Sequence, residues 1–161
     1  MGNLEMQVEA LMRLCTAEKE SDRTLVREEV RQMLKNRRAV RACTDPEYLI
    51  RELLLELGAP DHLSGHPYVI QAILLVIQDH SYIDRLTFGL YPQLAVTFDT
   101  TASRIERAIR HLIEVTWTRG DWEILSRYFG NTISAEKGKP TNGEFIARLS
   151  NIVKQRLREA A

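Results

Sequence analysis

The run TTASRIERAIRHLIE, residues 100–114, gathers three arginines and a histidine on what the spacing predicts to be one helix. At about 100° per residue, Ile105, Ile109, Leu112 and Thr116 fall on one side with Ala108 beside them. Arg104, Arg107 and His111 fall on the other, flanked by Ser103, Glu106 and Arg110. These side chains suit the edges of base pairs: arginine donates two hydrogen bonds to guanine O6 and N7, and glutamate accepts one from cytosine N4. Thr101 or Ser103 can cap the helix, Ser103 having Glu106 three residues on, and a helix N-terminus with its caps can hold a phosphate. An ordinary solvated basic face has the same composition, so the decision rests on the elements around it.

Those elements are legible. LYPQLAVTFDTTASRIERAIRHLIEVTW predicts two helices joined by a short turn. Ala95 lies in the first, where only a small side chain lets the partner helix approach closely. Asp99 and Thr100 make the turn, aspartate tolerating the left-handed conformation better than most non-glycine residues. Ile105 follows Ala95 by ten residues, where a helix-turn-helix needs a branched apolar residue to lock the pair. A second helix over 101–117 is then a recognition helix, with double-stranded DNA as its partner.

Other constellations fail on their chemistry. GKPT at 138–141 is tempting as a phosphate loop, but that motif needs Ser or Thr after the lysine and a glycine five residues before Gly138. Pro140 and Ile133 stand there instead, and the stretch reads as a basic surface turn. His62 and His66 are four apart, yet Pro60 and Gly65 argue against one helix presenting both, and no third ligand lies close. No serine sits in a nucleophile-elbow context. Cys15 and Cys43 are far apart and read as reduced thiols of a cytosolic protein. No enzyme, cofactor or metal site is expected, and the expected location is the cytoplasm, associated with the nucleoid.

The 161 residues, 44% hydrophobic and 27% charged, suit one compact domain with an appendage. With 22 basic and 22 acidic residues, net charge makes no case for nucleic acid, and only local distribution can. No apolar run is long enough to span a membrane, and the N-terminus lacks a secretory layout. Met6 stands where a myristoylation motif on Gly2 needs Ser or Thr.

Nearly every segment reads as helix, with no convincing strand: the class is all-α. Leu4, Val8, Leu11 and Cys15 form one narrow stripe; Val26, Val30 and Met33 form another, on a helix capped by Ser21 or Asp22. Residues 1–44 thus predict a helical pair, suited to dimerisation or to packing on the domain at 45–161. Asp45, Pro46 and Glu47 start the next helix, ended by Gly58. YVIQAILLVIQD is apolar nearly all round and predicts a buried central helix. Short helices near 82–88 and 90–97 precede the opening stretch. A helix over 121–129, closed by Gly130, follows it. Thr141 and Glu144 form a capping box for the last helix, with Phe145, Leu149, Ile152 and Arg156 at helical steps.

Three segments carry a family resemblance: GAPDHLSGHPYVIQAI, LYPQLAVTFDTTASRIERAIRHLIEVTWTRG and YFGNTISAEKGKPTNGEFIA. In order and spacing, over roughly residues 48–158, the chain resembles the DNA-binding effector domain of the master response regulator of sporulation initiation. The resemblance implies a six-helix, all-α domain with a helix-turn-helix that binds a short G·C-containing promoter box as a tandem homodimer. Ser103, Arg104, Glu106 and Arg107 match the residues that meet the major groove, with Arg110 and His111 beside them. The segment from about 120 to 139 resembles the surface for the RNA polymerase sigma subunit, and the last helix resembles the dimer contact.

The chain departs from that pattern in several places. No βα alternation precedes the effector region, so phosphorylation control through a receiver domain is not expected. Val96, Thr97 and Ser64 stand where lysines are usual, and each removes a cation that could hold a phosphate. Asn131 and Gly143 replace Tyr and Ser. Basic clusters at Lys137, Lys139, Arg148, Lys154, Arg156 and Arg158, and at Lys35, Arg37, Arg38 and Arg41, supply charge elsewhere. A competing expectation follows: an interaction module that dimerises with, or antagonises, a full-length relative.

Overall fold

The computed structural model describes residues 8–9, 12–13, 20–130 and 138–161. Among them there are seven α-helices and no strand. The chain divides into two units, Met1–Ala42 and Cys43–Ala161. In the first, residues 8–9 and 12–13 are helical, while Leu4, Leu11 and Cys15 of the expected stripe lie outside the described residues. The first continuous helix is α1 (Glu20–Thr44). It already contains Ser21 and Asp22, so neither is its N-cap. Val26, Val30 and Met33 are half-buried along it, and Leu25, Leu34 and Val40 are exposed.

The second unit holds six α-helices. α2 (Pro46–Glu56) starts as its sequence dictates: the Asp45 carboxylate accepts the Glu47 N–H at 3.0 Å, and proline occupies the first turn. Gly58 ends it at φ +73°, the left-handed position that glycine takes without steric cost. α3 (Gly65–Gln78) is the centre, burying Val69, Ile70, Ala72, Ile73 and Val76. The single short helix expected near 82–88 is instead two tight turns, a 3₁₀ segment over His80–Arg85 and a π turn over Leu86–Leu90. Asp79 accepts the Ser81 N–H at 3.0 Å and forces the first of them; that hydrogen-bonding choice has no counterpart in apolar periodicity.

α4 (Tyr91–Thr97), α5 (Ala102–Arg119), α6 (Trp122–Phe129) and α7 (Asn142–Ala160) complete the unit. α3 packs on both α5 and α7, which makes it the pillar against which the helix-turn-helix is set. Ile105, Ile109, Leu112 and Ile113 of α5 meet Phe129 of α6 and Phe145, Ile146 and Leu149 of α7 in one core. Trp117 joins Phe129 and Phe145 edge-on, with ring centroids 5.1 and 6.1 Å away. The capping box of α7 is formed: Thr141 Oγ1 accepts the Glu144 N–H and the Glu144 carboxylate accepts the Thr141 N–H. Arg148 Nε donates to the Tyr128 carbonyl at 2.6 Å, and Tyr128, Glu56 and Arg156 form a polar cluster tying α2, α6 and α7 at the surface. No helix among the described residues is long and apolar enough to cross a membrane.

Candidate nucleic-acid interface

The turn between α4 and α5 follows from one residue. Asp99, at φ 48°, is the one non-glycine residue among those described with positive φ. That kink lets the Thr100 N–H reach back to the Ala95 carbonyl at 2.9 Å and closes α4 with the wide hydrogen-bonded loop of a Schellman motif. Thr101 then takes extended dihedrals and its hydroxyl accepts the Arg104 N–H at 3.3 Å. Of the two residues able to cap α5, Thr101 does so; Ser103 lies inside the first turn and is exposed. Ala95 is half-buried and Ile105 fully buried.

Two further contacts fix α5 from its buried side. Gly65, first residue of α3, lies against the middle of α5: a Cβ built there would stand 2.3 Å from the Ala108 carbonyl oxygen and 3.0 Å from the Leu112 Cβ. Nothing larger than glycine lets the two helices approach so closely. Asn142, nearly fully buried at the start of α7, donates to the Tyr91 hydroxyl and to the Glu106 carbonyl, each at 3.1 Å. One amide thereby joins α4, α5 and α7. From sequence, Asn142 reads only as part of a helix start and Gly65 as a linker residue. The signal they do carry lies in GKPTN and SGHPY, a polar or minimal residue at the first turn of a buried helix.

The opposite side of α5 is open. Thr101, Ser103, Arg104, Arg107, Arg110 and His111 are exposed, and Glu106 is half-buried. Among the described residues Arg104 and Arg107 have no carboxylate partner; Arg110 pairs with Glu106 one turn away. Glu114 is held by Lys139 at 2.8 Å, and the ammonium keeps its carboxyl below the usual carboxylate range. An open groove bordered by Ser64, Tyr68 and Thr100 runs along Arg104, Arg107 and His111. Tyr68 is set there by an edge contact with Phe98, centroids 4.7 Å apart. All seven residues singled out from sequence therefore lie on one stretch of α5 and its cap. Thr101 is engaged as the cap and Glu106 and Arg110 with each other, which leaves Ser103, Arg104, Arg107 and His111 to turn toward a ligand.

The pairing divides these groups by cost. An exposed i,i+4 ion pair such as Glu106–Arg110 is worth about 0.3–0.5 kcal/mol, against about 1–3 kcal/mol of discrimination for a well-formed bidentate base contact. Arg110 can therefore be redirected to a polyanion and Glu106 to a hydrogen-bond donor. At the end of α4, by contrast, Val96 is 81% exposed and Thr97 Oγ1 is turned back to the Gln93 carbonyl at 3.0 Å. That helix end offers no cation. His66 belongs to the scaffold: it is buried at the first turn of α3, and burial, then the Arg51 charge, push its pKa down, with Asp61 opposing.

Residues 50–153 match the family model described as sporulation initiation factor Spo0A C terminal. The match covers all six helices of the second unit in whole or in part, including the whole helix-turn-helix. The chain belongs to this family of DNA-binding effector domains of sporulation regulators.

Proposed function

We propose that the chain is a sequence-specific transcription regulator that seats α5 in the major groove of double-stranded DNA and reads a short promoter box. The observation that carries this reading is the pair of exposed, carboxylate-free guanidinium groups of Arg104 and Arg107 on a helix whose other face is locked by Gly65, Ile105 and Asn142. Arg107 lies in the middle of the open face and takes the bidentate guanine contact. Glu106, released from Arg110, accepts from cytosine, and Thr101, Ser103, Arg110 and His111 hold the adjacent phosphates and base edges. Two copies bind in tandem. Trp122, 67% exposed at the start of α6, supplies an aromatic anchor for the sigma subunit of RNA polymerase on the segment around 120–139, of which 131–137 lie outside the described residues. The test is a salt titration of binding to a family-type box and to a scrambled duplex of equal length. Preference for the box at low salt is expected; equal binding to both sinks direct readout.

The bare end of α4 favours one second reading, an interaction module that pairs with a full-length relative. It predicts co-purification with that relative and no measurable binding to any box, whereas direct readout predicts binding by the isolated chain.

A further inference from the structure

α1 carries a charged face that the helix-turn-helix does not account for. Arg27, Arg31 and Lys35 succeed one another at four-residue steps and are exposed. At about 100° per residue the next positions on the same arc, 38 and 41, are also arginine in the sequence. Residues 31–44 contain five basic residues and no acidic one, in a chain whose net charge is zero. Val26, Val30 and Met33 occupy the arc beside it and are half-buried.

Intramolecular needs do not explain this face. The helix dipole favours cations only in the last turn, which covers residue 41 but not Arg27, Arg31 or Lys35. Arg31 pairs with Glu28 at 3.0 Å, both side chains well exposed, so that pair is weak. Among the described residues Arg27 and Lys35 have no carboxylate partner. Like charges at i,i+4 destabilise a helix by a few tenths of a kcal/mol per pair, and Arg27, Arg31 and Lys35 make two such pairs. A polyanion laid along the arc relieves the repulsion. From residue 27 to 41 the helix rises about 21 Å, and duplex DNA presents about one charge per 1.7 Å, roughly a dozen phosphates within reach. An anionic lipid surface is the other polyanion to consider. Helices that lie on membranes set a continuous face of Trp, Phe or Leu against their basic one. The exposed leucines of α1, Leu25 and Leu34, lie on opposite sides of the helix and make no such face.

We infer that the basic arc of α1 is a second, sequence-independent contact with the DNA backbone, an inference that rests on the DNA-binding reading above. Its contribution is affinity and salt dependence, since phosphate contacts carry no sequence information. The experiment is fluorescence anisotropy of the full chain on the box and on the scrambled duplex, titrated with salt. The variant is Arg27→Ala combined with Arg31→Ala and Lys35→Ala; alanine is the strongest helix former and keeps α1 helical, which circular dichroism checks. The slope of log K against log salt should fall by about 2–3, near 0.9 for each phosphate no longer neutralised, on both duplexes equally, with the ratio of their affinities unchanged. Arg27→Lys with Arg31→Lys, which keeps the charge, should keep the slope. An unchanged slope in the alanine variant overturns the inference and leaves direct readout standing; loss of binding to phosphatidylserine vesicles with the DNA slope intact overturns it in favour of a lipid surface. A native chain that binds neither duplex overturns both.

Discussion

Gly65→Ala tests whether the position of α5 is set by a backbone contact. The added methyl would stand 2.3 Å from the Ala108 carbonyl oxygen and 2.9 Å from its carbon, where unstrained contacts to carbon lie near 3.5–4.0 Å. These are main-chain atoms within a helix and cannot rotate away, so α3 and α5 must separate by about 1 Å. Overpacking of this kind costs about 1–3 kcal/mol, and a clash with backbone belongs at the upper end. Replacing a helical glycine returns at most about 1 kcal/mol, which leaves a net loss near 2 kcal/mol. For a chain of this size that corresponds to a melting temperature lower by about 4–8 °C. Urea unfolding and thermal melting measure it, and on the proposed reading, in which α5 makes the base contacts, affinity for the box should fall further than affinity for the scrambled duplex. Ala108→Gly should not rescue the variant, since the clash is with the carbonyl and not with the Ala108 methyl. Helix propensity alone predicts the opposite sign, so a Gly65→Ala protein as stable as the native chain, or more so, refutes the close-approach argument.

Arg107→Ala should weaken binding to the box by about 1–3 kcal/mol and relax base preference at one position; equal weakening on box and scrambled duplex in the same titration would reduce Arg107 to a phosphate contact. Asn142→Ala removes two buried hydrogen bonds, near 1 kcal/mol each, and leaves the buried Tyr91 hydroxyl without its donor. Urea denaturation should show a loss of about 2–3 kcal/mol, and native stability would mean that the amide bridge is incidental. His66 has a folded-state pKa below its ordinary value of 6.5, so the unfolded chain binds more protons as pH falls through that value. Stability is therefore fully present above about pH 6.5, is lost as pH drops toward the folded pKa, and levels off below it. Melting curves between pH 7.5 and 5.5 should show this loss in the native chain and less of it in His66→Gln; identical pH profiles for the two would place the titration elsewhere.

Sequence patterning locates the helices well where one face meets the core and a side chain caps the end. Asp45 and the Thr141–Glu144 box stop and start backbone hydrogen bonding locally, so composition over four residues suffices. The turn at Asp99 is legible for the same reason: few side chains tolerate φ 48°. Between residues 79 and 90 the pattern fails, because the 3₁₀ turn depends on whether Asp79 captures the Ser81 N–H, a competition that apolar periodicity does not record. Ile113 is absent from the expected core of α5. It lies at the edge of the apolar arc and is buried in the shared core with Phe145, Ile146 and Leu149 of α7, and a helical projection holds no information about a neighbour's position.

The candidate site shows the same division at finer grain. Which side chains face outward on α5 is a one-helix question, and spacing alone answers it for Arg104, Arg107 and His111. What holds that face in place is a three-helix question, settled by Gly65 from α3 and Asn142 from α7, 36 residues from the carbonyl it grips. The two sets differ in how they tolerate change. The scaffold contacts are buried or made with backbone, so each substitution costs kilocalories and shifts the whole helix. The outward groups are paired weakly or not at all, so exchanging them costs little in stability and, on the proposed reading, alters which duplex is bound. On the proposed reading, the cations missing at Val96 and Thr97 and the run of basic residues on α1 fit that logic: grip on the DNA backbone sits in exposed side chains, which can change without disturbing the Gly65 and Asn142 contacts that hold α5.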